Sequence, residues 1–514
     1  MEASQLTSQP TNWREGMWDS PAERRPEYPL KPSSAPARRL VTGSREHRSK
    51  PLRTSQRHLP RRTLHAPGTP SSGAHEVSTP HVRGAPPKCV RLPTRGPNGR
   101  QLHTPRTSPA SHPPPRPLCP LIVRGTRGET SPLPVQIWKV HRKLLNPAFN
   151  QTILDGFIDV HNRQARRLVK DLQVEVDKGP FDHFTYILLN VLETTCLTVM
   201  AVDFSDESLL NSEYVHAAED MLEYIMERFQ KPWLHSDVVF NWSSLKRMQD
   251  ECLKILHNMS NTVLKKRKAE YLYNKQCKET EDTIKGPKLQ TFMDLLLELA
   301  IEKGAFNDRE IRDHVDTILI GGHDTSASVL MYTMLLVGSY HEVQENIYEE
   351  LDNVFGNEDR DVTKQDLSQL VYLEAVLKES MRIYPIAPII ARKLHQDIKL
   401  RNCTLTKGRT CFLAAYGVHR HPMWGPDVEE FKPERWLDFE TLPKCPAAFA
   451  GFGMGRRFCI GKTYAMMAMK TTLAHVFRRY RVSGSHLSMV TKMEIMLKPV
   501  SGHHVAIEIR KNKT

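Results

Sequence analysis

The nine cysteines of this 514-residue chain (Cys89, Cys119, Cys196, Cys252, Cys277, Cys403, Cys411, Cys445 and Cys459) contain no C-x-x-C pair. An odd, scattered set argues against a disulfide framework and against a structural zinc site. It fits a reducing compartment such as the cytosol. No run of about 18 apolar residues lies near the N-terminus, so no signal peptide or membrane anchor is expected there. The longest apolar region, 315–337, is interrupted by His323-Asp324-Thr325 and has no basic flank. It is expected to be a buried core helix. No internal repeat is present.

Charge is missing from the body and concentrated in the head. The chain has 72 Lys+Arg against 58 Asp+Glu, but residues 1–134 hold 22 of the basic and only 8 of the acidic ones. The remainder has 50 of each sign and is formally neutral. The same head carries 24 of the 36 prolines and few large aliphatic residues. Such a segment cannot bury enough apolar surface to offset its conformational entropy, so 1–132 is expected to be a disordered Pro/Arg/Ser-rich basic segment. A nucleic-acid-binding arm is conceivable from its charge. A solvated tail is the simpler reading, and no nucleic-acid partner is expected.

From Trp138 onward helical periodicity dominates, over 150–176, 182–201, 212–230, 244–272, 289–303, 308–338, 340–356 and 364–384. Short strand-like runs follow at 388–394, 397–400, 410–414 and 503–509. Many helices followed by short strands predict a mainly α (α+β) body over 133–514.

The chemistry gathers at 452–461, FGMGRRFCIG. Three glycines in ten residues imply a special backbone path. A helix is expected directly after Gly461, which puts Cys459 near a helix N-terminus, with Arg456 and Arg457 adding positive charge. Those conditions lower a thiol's pKa. The resulting thiolate suits a nucleophile, a redox thiol or a metal ligand. A nucleophile needs a histidine base, for which His419, His421 and His475 are candidates. A haem ligand needs a glycine-rich loop and an arginine to fork onto a propionate, and this stretch has both.

The pattern F-x-x-G-x-R-x-C-x-G resembles the haem-binding loop of the cytochromes P-450. On that resemblance Phe452, Gly455, Arg457, Cys459 and Gly461 fall on the family's fixed positions. Cys459 is then the proximal thiolate on the iron of haem b, Arg457 pairs a propionate, and Phe452 packs beside the sulfur. ILIGGHDTSA, 318–327, looks like the family's oxygen-binding groove, with Gly322, Asp324 and Thr325 matching. Two adjacent glycines inside a long helix imply a loosened or kinked segment. The acid and the alcohol would relay protons there. Many members of the family-4 group carry a glutamate where this chain has Gly321, and that glutamate esterifies the haem. No covalent haem link is therefore expected.

KESMR at 378–382, with FKPERW at 431–436, matches the family's buried triad, here Glu379, Arg382 and Arg435. Arg392 matches a further propionate contact. In WKVHRK, 138–143, Trp138 and Arg142 lie i,i+4 on one helix face and resemble the family's propionate-binding helix. FQKPWLHSDVVFN at 229–241 and TFMDLLLE at 291–298 look like segments of the family-4 clan, particularly of insects.

The resemblance covers 133–510. It implies the P-450 fold, with a long central oxygen-binding helix and small sheets, and the family's early helices and first strands without counterparts in the head. It further implies monooxygenase activity on an apolar small molecule, using O2 and NADPH-derived electrons from a flavoprotein reductase, with cytochrome b5 as a further electron donor. Basic residues Lys139, Lys143 and Arg456 would meet the acidic reductase. Attachment to the cytosolic face of the endoplasmic reticulum membrane follows from the resemblance alone. Peroxide rearrangement without a reductase is disfavoured by the acid–alcohol pair. A non-catalytic haem-binding remnant of the family is the rival reading, separated from the first by reductase-dependent turnover.

Overall fold

The computed structural model describes residues 135–203, 212–280 and 290–511. The expected disordered segment, 1–132, lies outside them. The described body is helical, with small antiparallel sheets on its C-terminal side. Its main helices are α1 (Val135–Leu145), α2 (Ile158–Leu172), α3 (His183–Thr195), α4 (Ser212–Gln230), α5 (Ser244–Thr280) and α6 (Phe292–Ile301). They continue as α7 (Asp308–Ser339), α8 (His341–Phe355), α9 (Lys364–Gln369), α10 (Val371–Ile383) and α11 (Lys462–Arg479).

Start and stop chemistry explains where the helices lie. Thr291 with Asp294, Asn307 with Glu310 and Thr363 with Asp366 form capping boxes that satisfy orphan backbone donors of α6, α7 and α9. The periodic segment expected over 150–176 is divided at Gly156, and the one over 364–384 at Leu370. Apolar periodicity continues across both breaks, so pattern alone merges the pieces.

α7 is the axis of the body. From Ser326 to Gly338 every residue is buried, as a helix surrounded on all sides requires. Its first half differs. Thr317 and Gly321 are exposed and Gly322 and Thr325 half-buried, which marks one stripe at helical spacing. α3 packs along α7, α4 lies on α5, and α11 packs on α2.

Four two-stranded antiparallel sheets complete the body: β1 (Ile390–Lys393) with β4 (Thr410–Leu413), β2 (Ile398–Lys399) with β3 (Thr404–Leu405), β5 (Tyr480–Gly484) with β8 (Val505–Ile509), and β6 (Val490–Met493) with β7 (Leu497–Ser501). Strands β3, β5, β6 and β7 were not expected from the sequence. β5 follows α11 without a turn residue, which hides its start. No helix among the described residues is long and apolar enough to cross a membrane.

Candidate active site

The cysteine loop is held by its own backbone. The Cys459 N–H donates to the Phe452 carbonyl at 2.8 Å and the Phe458 N–H to that of Gly455 at 3.0 Å. Gly453 and Gly455 both sit at φ 69°, the left-handed region that side chains with a Cβ avoid. Phe452 is half-buried against the core. A 3-10 turn, Gly455–Arg457, carries the two arginines, and Gly461 directly precedes α11.

α1 meets this loop from the other end of the body. Arg142 donates from one terminal nitrogen to the Phe458 carbonyl at 3.0 Å and from Nε to Asn146 Oδ1 at 2.6 Å. Trp138, one turn earlier, lies under the Arg457 guanidinium at 4.0 Å. The i,i+4 pair thus contacts the cysteine loop with both members. Arg392 on β1 bonds only a neighbouring carbonyl, that of Ala391, at 2.9 Å. The guanidinium of Arg457 is held below its ordinary pKa by burial and then by the nearby charges of Arg392 and Arg142. Among the described residues none of these three arginines has an ion pair, so three like charges converge without a carboxylate.

The thiol differs from the sequence expectation. Burial pushes Cys459 up from its ordinary pKa, outweighing the Gly461 N–H and the charges of Arg142 and Lys462, which pull it down. Loop glycines and a following helix suggest a lowered value, but desolvation by the surrounding chain dominates. Cys459 is nonetheless exposed. The thiol is thus accessible although much of the chain surrounds it. Nor does a histidine base accompany it. His419 Nε2 accepts from the Ala450 N–H at 2.8 Å, His475 contacts Asn162 at 2.9 Å, and His421 Nδ1 accepts from the Met423 N–H at 3.1 Å.

A soft, accessible thiol, glycines that leave the backbone bare, and three guanidinia without a carboxylate fit a planar dianionic iron cofactor with a thiolate ligand.

The groove residues separate. Thr325 Oγ1 donates to the Gly321 carbonyl at 2.8 Å, and α7 runs unbroken through Gly321 and Gly322 rather than opening there. A Cβ on Gly321 would meet nothing within 4 Å, whereas one on Gly322 would approach Thr195 Cγ2 to 3.2 Å. Asp324 is 2 % exposed, away from the accessible stripe, and its Oδ1 pairs with Lys498 Nζ of β7 at 2.5 Å. The sequence has no local signal for that partner.

Glu379, Arg382 and Arg435 are brought together in a dry core. Glu379 accepts from Arg382 at 2.8 and 2.9 Å, from Arg435 Nε at 2.8 Å and from Trp436 Nε1 at 2.9 Å. Arg382 also donates to the carbonyls of His419, Val428 and Glu430. His419, whose Nδ1 lies 3.2 Å from the Arg382 carbonyl, joins this cluster to the cysteine loop through Ala450. Sequence reasoning had weighed that histidine only as a base.

A helical body with an accessible cysteine loop flanked by arginines fits a haem-thiolate protein class. The Cytochrome P450 family profile matches residues 114–505, and the chain belongs to that family. It is 35% identical over 379 residues to Cytochrome P450 4V2 of Homo sapiens, covering 73% of this chain and 72% of that protein. It is 32% identical over 384 residues to Cytochrome P450 4c3 of Drosophila melanogaster, covering 73% and 72%. Cytochrome P450 4c21 of Blattella germanica is 31% identical over 376 residues, covering 73% and 75%. The chain is thus a monooxygenase-type oxidoreductase of a haem-dependent family.

Proposed function

We propose that the chain inserts one oxygen atom from O2 into an apolar organic substrate, with NADPH-derived electrons arriving through a flavoprotein reductase. The observation that carries this reading is the convergence of Arg142, Arg392 and Arg457 on the loop of an accessible Cys459. When bound, haem b supplies the redox iron and the activation of dioxygen. Cys459 would hold the iron through its sulfur, and bonding to a cation would offset the desolvation that raises the free thiol. Arg142, Arg392 and Arg457 would hold the propionates, with Trp138 backing Arg457. Phe452 and Gly455 shape the loop, while Gly461 leaves room before α11. Gly322 keeps the groove shallow against Thr195, and Thr325 offers a hydroxyl at its open side. Asp324 lies behind it and would relay protons to that hydroxyl. Glu379, Arg382 and Arg435 brace the loop without touching the reacting atoms. With Gly321 in place of a carboxylate, the haem stays non-covalent.

Lys139, Lys143 and Arg456 are exposed around the cysteine loop and its partner helix, a surface suited to an acidic reductase or to cytochrome b5. Attachment to the cytosolic face of the endoplasmic reticulum membrane is supported by an apolar surface between α4 and α5. Trp242 is 90%, Val238 72% and Trp233 62% exposed, and they share a shallow groove. Exposed tryptophans beside aliphatic residues suit a membrane interface.

The deciding experiment is a ferrous–CO difference spectrum of the full chain, followed by NADPH- and reductase-dependent oxygen consumption. A red-shifted thiolate band that Cys459→Ser abolishes supports the ligand. Correct ligation with no turnover on any apolar substrate favours the non-catalytic rival.

A further inference from the structure

Asp324 and Thr325 are neighbours in sequence but not in direction, because one residue turns a helix by about 100°. Thr325 is on the open stripe, while Asp324 points into the region between α7, β7 and α4. Lys498 Nζ lies 2.5 Å from Asp324 Oδ1 and 3.4 Å from Glu219 Oε1 of α4. The same ammonium stands 5.1 Å from the ring of Phe184 on α3. Lys498 is itself firmly placed. The preceding residue, Leu497, accepts from Tyr332 Oη at 3.0 Å and donates its N–H to the Ile386 carbonyl at 2.9 Å. One half-buried cation therefore serves two carboxylates from two helices, and its strand is tied back to α7 through Tyr332.

We propose that Lys498 is a positioning residue for Asp324. It holds the carboxylate turned away from Thr325, and through Glu219 it links the acid's orientation to α4. This rests on the reading above, in which Asp324 relays protons to the groove. A buried carboxylate without a cation either takes up a proton or seeks another partner. Removing Lys498 therefore changes what Asp324 does, beyond loosening β7. Glu219 on α4 shares the ammonium, and His323 and Tyr332 on α7 lie in the field of Asp324.

The test uses the full-length haem-loaded protein in a Glu219→Gln background, with Lys498→Met, Asp324→Asn and both together. Unfolding equilibria are measured for each variant. In Lys498→Met the folding constant drops at least tenfold. With Asp324→Asn present, the effect of Lys498→Met is small. A deficit of the same size with and without Asp324→Asn overturns the proposal. During turnover, Lys498→Met raises the share of electrons lost as hydrogen peroxide at least threefold and changes its solvent deuterium isotope effect, and Lys498→Arg restores both. An unchanged partition overturns the positioning role. Should the wild-type chain bind haem but not turn over, the monooxygenase reading fails, and the unfolding cycle still decides whether Lys498 holds Asp324 in place.

Discussion

The Arg457 guanidinium lies 4.0 Å above the ring of Trp138, joining the first described helix to the cysteine loop near the far end of the chain. Both residues matched a haem-binding pattern separately, and the fold stacks one on the other. Cation–π contact of a half-desolvated arginine contributes about 0.5–2 kcal/mol. Trp138→Leu should therefore weaken haem affinity by roughly threefold to thirtyfold, while Cys459 ligation persists. Haem transfer to apomyoglobin, followed beside the CO spectrum, measures this.

Glu379 is the single acid between two buried arginines, and neither it nor Arg382 is exposed at all. Glu379→Gln keeps the shape and removes the charge, leaving the Arg382 guanidinium uncompensated and Arg435 with Asp427 at 3.3 Å. Breaking such a buried pair destabilises by about 3–5 kcal/mol. The expected outcome is little haem-loaded soluble protein, read from the ratio of haem to protein absorbance after expression. Normal loading with an unchanged melting curve would contradict the bracing role.

Gly321 and Gly322 separate sharply. Gly321→Glu enters open space and should fold, keep the thiolate CO band and, after turnover, hold haem through acid extraction. Gly322→Val pushes against Thr195, where a bare Cβ already comes within 3.2 Å of a methyl group. It should lower stability by about 1–3 kcal/mol, as overpacking does. Thermal melts of the two variants, with extraction of the haem, compare them.

Acid should loosen the body through its buried histidines. Burial holds the imidazoles of His183 and His419 down at about 4 and that of His475 at about 3. The unfolded chain takes up these protons near 6.5, so their contribution is fully present above that pH and is lost as pH falls toward the folded values. Each adds a slope approaching about 1.4 kcal/mol per pH unit between those limits. His419→Gln removes one such slope and also changes the acceptor of the Ala450 N–H. Denaturant midpoints between pH 7 and 5 should fall less steeply in that variant than in the wild type.

The apolar surface beside α4 gives a membrane test. Trp242→Ser with Trp233→Ser should cut co-sedimentation with phosphatidylcholine vesicles at least severalfold while the CO spectrum is unchanged. Equal sedimentation of the variant would place attachment elsewhere.

Much of the site was legible because its relations are local. Trp138 with Arg142 and Glu379 with Arg382 are one helical turn apart, and the glycine spacing about Cys459 needs only ten residues. Helix ends were less legible, since apolar periodicity runs on through Gly156 and Leu370. Strands β5, β6 and β7 escaped because their residues alternate poorly and gain their reason from partners across a hairpin or from α7.

The amino-acid sequence by itself determined the helical body, the cysteine loop and the family's motifs, all carried by short spacings. Only the tertiary structure decided which way Asp324 faces, because its cation comes from β7, 174 residues away. It also decided that the Cys459 thiol is raised rather than lowered, since desolvation depends on all the chain that folds around a group. It gave His419 the task of joining the buried triad to the loop. Backbone propensities act within a turn or two, whereas charge pairing and burial are settled by whatever the fold brings near.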